Sequence, residues 1–298
     1  MKKVMVTGSH GFIGQNMTKF LEDRNVEVVP VDKKIGIDIL DLKNEYFEDL
    51  DGIVHLAAIS GLKNCSDDPI QAVRDNCEAT LFLFSISREK SIPLVFSSSG
   101  AAQNGISDNA DYFISEQIIN LFKLTKLTPE DVKNLYGYTK HYCENVVKNF
   151  PKTFSNVRIL RFSNVWDISE YYLKNKNTAV ANFIRSYLSD NIFEINGFGT
   201  QKRDFIHVSD VCLAIWKALT WRGSISVPVD IGTGIYTSIV ELAGYFRTEH
   251  FKVKHNFKSD MIGAAASKAD TKLAKSLFGF EHTIEIKNIK SFVDTTFI

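Results

Sequence analysis

Cysteine is scarce in this 298-residue chain, and none of its four copies is paired by spacing. Cys65, Cys77, Cys143 and Cys212 form no Cys-x-x-Cys, which excludes a zinc ribbon or a dithiol redox motif and implies reduced thiols rather than a disulfide framework. The seven histidines form no His-x-x-x-His pair, so no metal is predicted. An excess of one charge is also absent: 35 Lys and Arg stand against 35 Asp and Glu. That balance argues against nucleic acid or an anionic membrane surface as the main partner. The apolar run behind Met1-Lys2-Lys3 ends at Thr7-Gly8, too early for a signal peptide, and no stretch approaches the ~20 apolar residues of a membrane span. A cytoplasmic protein is expected.

What the chain does have is rhythm. Strand-length apolar runs lie at Lys3 to Thr7, Val26 to Val31, Gly52 to Leu56, Pro93 to Ser97 and Val157 to Phe162. Helical patterns separate them at Phe12 to Arg24, Ile70 to Glu89 and Asp131 to Phe150. Such alternation predicts an α/β fold, with a parallel sheet covered by helices on both faces and ligands at the carboxyl ends of its strands. Beyond residue 165 the rhythm loosens, with helices predicted at Val180 to Leu188, Val208 to Leu219 and Ser238 to Phe246 and a polar, aromatic loop at Trp166 to Asn177. A smaller C-terminal α/β substrate domain is expected there. The predicted division is 1–165 with 204–226 for the first domain and 166–203 with 227–298 for the second.

Directly after the first run stands Thr7-Gly8-Ser9-His10-Gly11-Phe12-Ile13-Gly14. A strand, a glycine turn and a helix start suit a dinucleotide pyrophosphate, because glycine permits close backbone approach and the helix N-terminus points N–H groups at the anion. The spacing is G-x-x-G-x-x-G rather than G-x-G-x-x-G. Asp32 ends the second run, where a carboxylate accepts both ribose hydroxyls and repels a 2′-phosphate, favouring NAD over NADP. Lys33 and Lys34 follow and partly offset that repulsion.

Tyr136 and Lys140 form Tyr-x-x-x-Lys, one turn apart on a helix with ~6 Å of axial rise. At that distance and an effective dielectric of ~20, the ammonium favours phenolate by about 2.8 kcal/mol, roughly two pKa units. The pair is therefore expected to make a general base working near neutral pH. Neither Tyr138 nor Tyr142 has a lysine four residues on. Ser97-Ser98-Ser99 ends the fourth run, and Ser99 is the hydroxyl expected to bond a substrate oxygen.

These segments, with His55-Leu56-Ala57-Ala58, Leu160-Arg161-Phe162-Ser163-Asn164, Arg203-Asp204-Phe205-Ile206-His207-Val208 and Asp230-Ile231-Gly232-Thr233-Gly234, resemble the extended short-chain dehydrogenase/reductase family over nearly the whole chain. That family includes the NAD-dependent nucleotide-sugar epimerases and dehydratases. The resemblance implies a Rossmann-type doubly wound sheet and catalytic Ser99, Tyr136 and Lys140. It implies cofactor contacts at Gly8, Gly11, Phe12, Ile13, Gly14, Asp32, Asp38, Ile39, Leu56, Ala57, Ala58, Asn76, Ser97, Tyr136 and Lys140. Asp38 and Ile39 would hold the adenine edge, and Asn76 would lie near the nicotinamide ribose. Ser99, Asn164 and Arg203 would contact the nucleotide sugar, the last two at its diphosphate. His55 and His207 are expected to be structural. The resemblance also implies a homodimer paired through the helices of 70–89 and 136–150, working in carbohydrate biosynthesis.

The chain departs from the family at three places. Gly100-Ala101-Ala102 follows Ser99 where dehydratases carry an acidic pair, so a 4,6-dehydratase is not expected. A segment around 113–126 is inserted before Tyr136, with helical spacing that suits a lid or an oligomer contact. No arginine precedes Ala269-Asp270 in the usual place, and Lys258 is the expected substitute. The expected activity is epimerisation through a transient keto sugar. An NAD(P)-dependent keto-sugar reductase or sugar dehydrogenase is the alternative, and a catalytically silent NAD-binding regulator a third reading.

Overall fold

The computed structural model describes residues 1–103, 134–172, 178–257 and 266–297. The inserted segment 113–126 and Lys258 lie outside the described residues. Contact density divides the chain into two units, Met1–Arg161 with Cys212–Val229, and Phe162–Val211 with Asp230–Ile298.

In the first unit the apolar runs become β1 (Lys3–Thr7), β2 (Glu27–Val31), β3 (Gly52–His55), β4 (Leu94–Ser99) and β5 (Val157–Phe162). The six-stranded sheet has the order β10-β5-β4-β3-β1-β2, where β10 is Val229–Ile231. β1 pairs in parallel with β2 on one side and β3 on the other, and β3 with β4. The Rossmann-type parallel sheet is thus present. The chain leaves β1 outward to β2, then returns to β3 on the opposite side. That reversal opens a crevice beyond the carboxyl ends of β1 and β3, the place such sheets bind ligands.

Burial explains the strands. Met5, Ile53, Leu94 and Phe96 are all sealed from solvent, as parallel strands covered on both faces must be. Helix α1 (Phe12–Glu22) buries Gly14, Met17 and Leu21, a stripe at helical spacing. Sealing Met17 and Leu21 contributes about 1.5–3 kcal/mol each.

The pattern at 70–89 predicts one helix, and the structure runs helical without a gap over Pro69–Glu89 but widens one turn. After α2 (Leu62–Asp67) come α3 (Pro69–Val73), a π-helical turn over Arg74–Glu78, and α4 (Ala79–Glu89). The wide turn accommodates the fully buried Asn76, and apolar periodicity alone does not report a single turn of that kind. Helix α5 (Leu135–Asn149) is capped by the Asn134 side chain, which accepts from Gly137 N–H at 3.2 Å.

Among the described residues the second unit is built on three short strand pairs. β6 (Asn164–Trp166) runs parallel to β9 (Phe205–His207), β7 (Ile192–Asn196) parallel to β12 (Lys252–Asn256), and β8 (Lys202–Arg203) antiparallel to β11 (Thr237–Ser238). Its helices are α6 (Ala179–Leu188), the start of α7 (Val208–Thr220), α8 (Ile239–Gly244), α9 (Lys272–Phe278) and α10 (Ile289–Phe297). Trp166, Phe183, Phe193 and Phe246 form its aromatic core. Buried Asp204 bonds Thr233, Gly234 and Ala269, tying two loops to the end of β8. Among the described residues no helix is long and apolar enough to cross a membrane.

Candidate active site

The glycine turn is built on close approach. Gly8 has a positive φ of 67°, and a Cβ there would meet the backbone N of Ala57 at 2.7 Å. A Cβ on Gly14 would stand 2.0 Å from the Gly8 carbonyl oxygen. The glycines therefore let β1, the residues after β3, and α1 share one crowded corner. No side chain caps α1 at Gly11. Phe12 and Ile13 form its first turn. An uncapped helix start beside a glycine turn is a donor set that fits a pyrophosphate.

Asp32 sits at the tip of β2 with each carboxylate oxygen on one backbone N–H, that of His10 at 2.9 Å and that of Lys34 at 2.9 Å. The carboxylate is thereby fixed beside the glycine turn with lone pairs left to accept hydroxyls. Asp38 accepts from Leu40 N–H at 3.1 Å and from Arg74 at 2.9 Å. Burial opposes its charge, but those bonds and Lys33 outweigh it and hold the carboxyl below the usual range. Ile39 is buried next to it. Leu56 and Ala57 follow β3, anchored to the Thr7 carbonyl and hydroxyl respectively, and Ala58 comes next.

His55 lies in a hydrogen-bond relay whose direction is determined. The Thr80 hydroxyl donates to the Asn76 carbonyl at 2.7 Å, so it accepts from His55 Nε2 at 2.9 Å. Nδ1 is then the acceptor for Thr7 Oγ1 at 2.7 Å. Full burial, helped by Lys140, pushes the imidazole down to about 3, so it is neutral and structural. His207 is held by Asp167 at 3.0 Å and accepts from Ser209 N–H.

Ser99, Tyr136 and Lys140 come together. Ser99 ends β4, accepts from Ala101 N–H at 3.2 Å and is hydrogen-bonded to the Tyr136 phenol. A Cβ on Gly137 would lie 2.4 Å from the Ala101 carbonyl oxygen, so glycine is what lets the first turn of α5 approach the end of β4. Lys140 is buried, with Nζ donating to the Ser97 carbonyl at 2.8 Å and lying 6.0 Å from the centroid of the Tyr136 ring. The glycine inside Tyr136-Gly137-Tyr138 was the sequence signal for this approach.

One expectation is corrected. Tyr-x-x-x-Lys spacing predicts a depressed phenol, yet burial pushes Tyr136 up to about 12 despite the Ser99 bond. Burial also pushes Lys140 down to about 8. The amine still carries its charge at neutral pH, but desolvation of the phenol outweighs that help. Helical spacing sets proximity and says nothing of desolvation.

Asn76 is spent within the protein. Its amide donates to the Ile59 carbonyl at 2.9 Å and to Thr139 Oγ1 at 3.1 Å, and its oxygen accepts from Ile59 N–H. It joins the turn after β3 to α5. Buried Glu144, one turn beyond Lys140, accepts from Ser98 and pairs with Arg161 through both oxygens. The i,i+4 spacing of Lys140 and Glu144 was visible in the sequence, but the Arg161 and Ser98 partners were not. All four cysteines are free and buried. Among the described residues no group of His, Cys, Asp and Glu side chains is placed to hold a metal.

In the second unit Asn164 donates to the Asp204 carbonyl through Nδ2 at 3.0 Å, next to Arg203 in the chain. Arg203 is half-buried and donates to the Lys202 carbonyl at 2.8 Å. Among the described residues it has no carboxylate partner, and burial lowers its pKa with no counter-charge opposing. A desolvated guanidinium left without an acid suits an anionic ligand.

A model of the NAD dependent epimerase/dehydratase family matches residues 4–232. The chain belongs to that family, and the resemblance to NAD-dependent extended short-chain dehydrogenase/reductase enzymes is borne out. UDP-glucose 4-epimerase from Mycoplasma genitalium is 27% identical, covering 97% of this chain and 94% of that protein. Among solved structures, MoeE5 in complex with UDP-glucuronic acid and NAD is 25% identical with a TM-score of 0.77, covering 99% of this chain and 98% of that one. UDP-glucuronic acid 4-epimerase from Bacillus cereus, 21% identical with a TM-score of 0.76 and coverage of 99% and 100%, shares the fold.

Proposed function

We propose that this protein is an NAD-dependent nucleotide-sugar epimerase acting on a UDP-sugar at C4. The observation that carries the reading is the convergence of the Ser99 hydroxyl and the Tyr136 phenol at the end of β4, with the Lys140 amine buried beside them. The names of the relatives support the UDP-sugar and the 4-position.

In this reading Gly8, Gly11, Phe12, Ile13 and Gly14 hold the pyrophosphate of NAD and Asp32 its adenosine ribose. Asp38 and Ile39 flank the adenine, while Leu56, Ala57, Ala58 and Ser97 line the cleft beyond the strands. When bound, NAD supplies hydride exchange with the sugar carbon and a positive charge beside the phenol. Tyr136 takes up and returns the proton of the reacting sugar hydroxyl. Ser99 hydrogen-bonds the same oxygen as it becomes a carbonyl and reverts. Lys140 anchors to the Ser97 carbonyl and adds charge near the phenol. Asn76 contributes by fixing the turn after β3 against α5. Arg203, with Asn164, holds the diphosphate, and Lys258 is the further candidate cation. We assign the working form as a cytoplasmic homodimer paired through α4 and α5, serving carbohydrate biosynthesis.

The test is incubation of the purified protein with UDP-glucose, UDP-N-acetylglucosamine and UDP-glucuronic acid, read by NMR. Formation of the C4 epimer without net NADH turnover is expected, and Tyr136→Phe abolishes it. Stoichiometric NADH or NADPH consumption would assign the chain instead to keto-sugar reduction. Size-exclusion chromatography with light scattering tests the dimer.

A further inference from the structure

The sequence places two lysines directly after Asp32, and on paper they offset its repulsion of a 2′-phosphate. The structure withholds both. Lys34 Nζ donates to the His10 carbonyl at 2.8 Å. Lys33 Nζ is gripped by both oxygens of Asp75, at 2.6 and 2.7 Å, and lies 3.4 Å from Asp38. Asp75 is itself positioned: Gln71 donates to it at 2.7 Å, and Arg74 lies 3.4 Å away while holding Asp38 at 2.9 Å. The Asp75 side chain is only 15% exposed, against 47% for Lys33, so the acid is the fixed member and the lysine the captured one.

We propose that Asp75 is a specificity-determining residue: by capturing Lys33 it keeps that ammonium from the ribose that Asp32 faces, and so enforces NAD over NADP. The inference deepens the proposed function, since it rests on Asp32 meeting the adenosine ribose. Lys33, Lys34 and Arg74 carry three positive charges, matched by Asp32, Asp38 and Asp75. A 2′-phosphate brings a further charge of about −1.5 to −2 into this neutral set. Removing the Asp75 charge leaves one cation uncompensated, on the residue adjacent to Asp32, with a flexible stem to reach the phosphate.

The experiment measures calorimetric binding of 2′,5′-ADP and 5′-AMP to protein stripped of cofactor. The two probes differ only at the 2′-position and need no turnover. Asp75→Asn is expected to tighten 2′,5′-ADP about tenfold while 5′-AMP stays within about twofold. The double variant Lys33→Met with Asp75→Asn restores neutrality and is expected to return 2′,5′-ADP to its wild-type affinity. Asp75→Ser removes the same charge should the asparagine variant fail to fold. Unchanged 2′,5′-ADP binding in both Asp75 variants overturns the proposal, as does a gain that persists without Lys33. A wild-type protein that binds neither 5′-AMP nor NAD would instead overturn the cofactor reading itself.

Discussion

Replacing Ser99 by alanine removes one oxygen that has two duties. Its lone pair accepts Ala101 N–H at 3.2 Å and caps the short turn after β4. Its proton is shared with the Tyr136 phenol. Loss of the cap lowers stability by about 1 kcal/mol. The second loss bears on catalysis. A hydrogen bond to a charged group is worth about 1.5–3 kcal/mol and one to a neutral partner about 1. Without Ser99 the phenolate is destabilised relative to the phenol by roughly 1 kcal/mol, close to one pKa unit. The acid limb of the kcat/KM profile therefore moves alkaline by about one unit, and kcat/KM falls about tenfold to 150-fold. Ser99→Thr keeps the oxygen and is expected to stay within about threefold of wild type. The assay is epimerisation of the accepted UDP-sugar across about pH 6–10, with urea midpoints recorded alongside. Should Ser99→Ala turn over at the wild-type rate with its acid limb in place, the phenol does not depend on this hydroxyl and the site is misread.

Arg203→Met is expected to raise KM for the nucleotide sugar about tenfold to 100-fold with a smaller change in kcat, since charge-assisted bonds to phosphate act in ground state and transition state alike; an unmoved KM would remove Arg203 from the diphosphate. His55, held near 3 in the fold against 6.5 when unfolded, binds fewer protons than the unfolded chain in that window. Its stability contribution is thus whole above pH 6.5 and declines as pH falls towards 3, by up to about 1.4 kcal/mol per unit, and urea unfolding of His55→Asn should show a flatter acid slope. Gly14→Ala, with its Cβ 2.0 Å from a carbonyl oxygen, should destabilise by about 3 kcal/mol or more in urea unfolding, while Gly100→Ala, where nothing lies within 4 Å, should stay within about 0.5 kcal/mol. Ultraviolet difference titration of cofactor-free wild type against Tyr136→Phe should show no tyrosinate from Tyr136 below about pH 10; ionisation near pH 7 would contradict the burial argument.

The fold was legible because its signals are local. Lys3–Thr7 and Val157–Phe162 are strands with the ends the apolar runs predict, since a buried parallel strand needs little beyond such a run. The glycine turn and Tyr-x-x-x-Lys read equally well, each being a spacing within one element. What stayed hidden depends on partners distant in sequence. Asn76 looked like a cofactor contact, yet Thr139, 63 residues on, takes its amide. Lys33 looked free to meet a phosphate, yet Asp75, 42 residues on, holds it. The strand Lys252–Asn256 was missed because it is largely exposed and polar, so pairing with β7 rather than hydrophobic pattern makes it a strand.

The same distinction bears on how the site becomes active. Bringing a phenol from about 12 to neutrality takes five units, about 7 kcal/mol. At neutral pH Lys140, lowered only to about 8, still carries its proton, so its charge favours the phenolate. A bound cation, were it ~4 Å from the phenol oxygen, would supply about 4 kcal/mol at an effective dielectric of ~20. Protonated Lys140, 6.0 Å from the ring centroid, then adds about 2.8 kcal/mol on the same scale. Together they match the requirement, and neither does so alone. In the proposed reading the Tyr136 phenol stays protonated until a cationic ring is seated beside it.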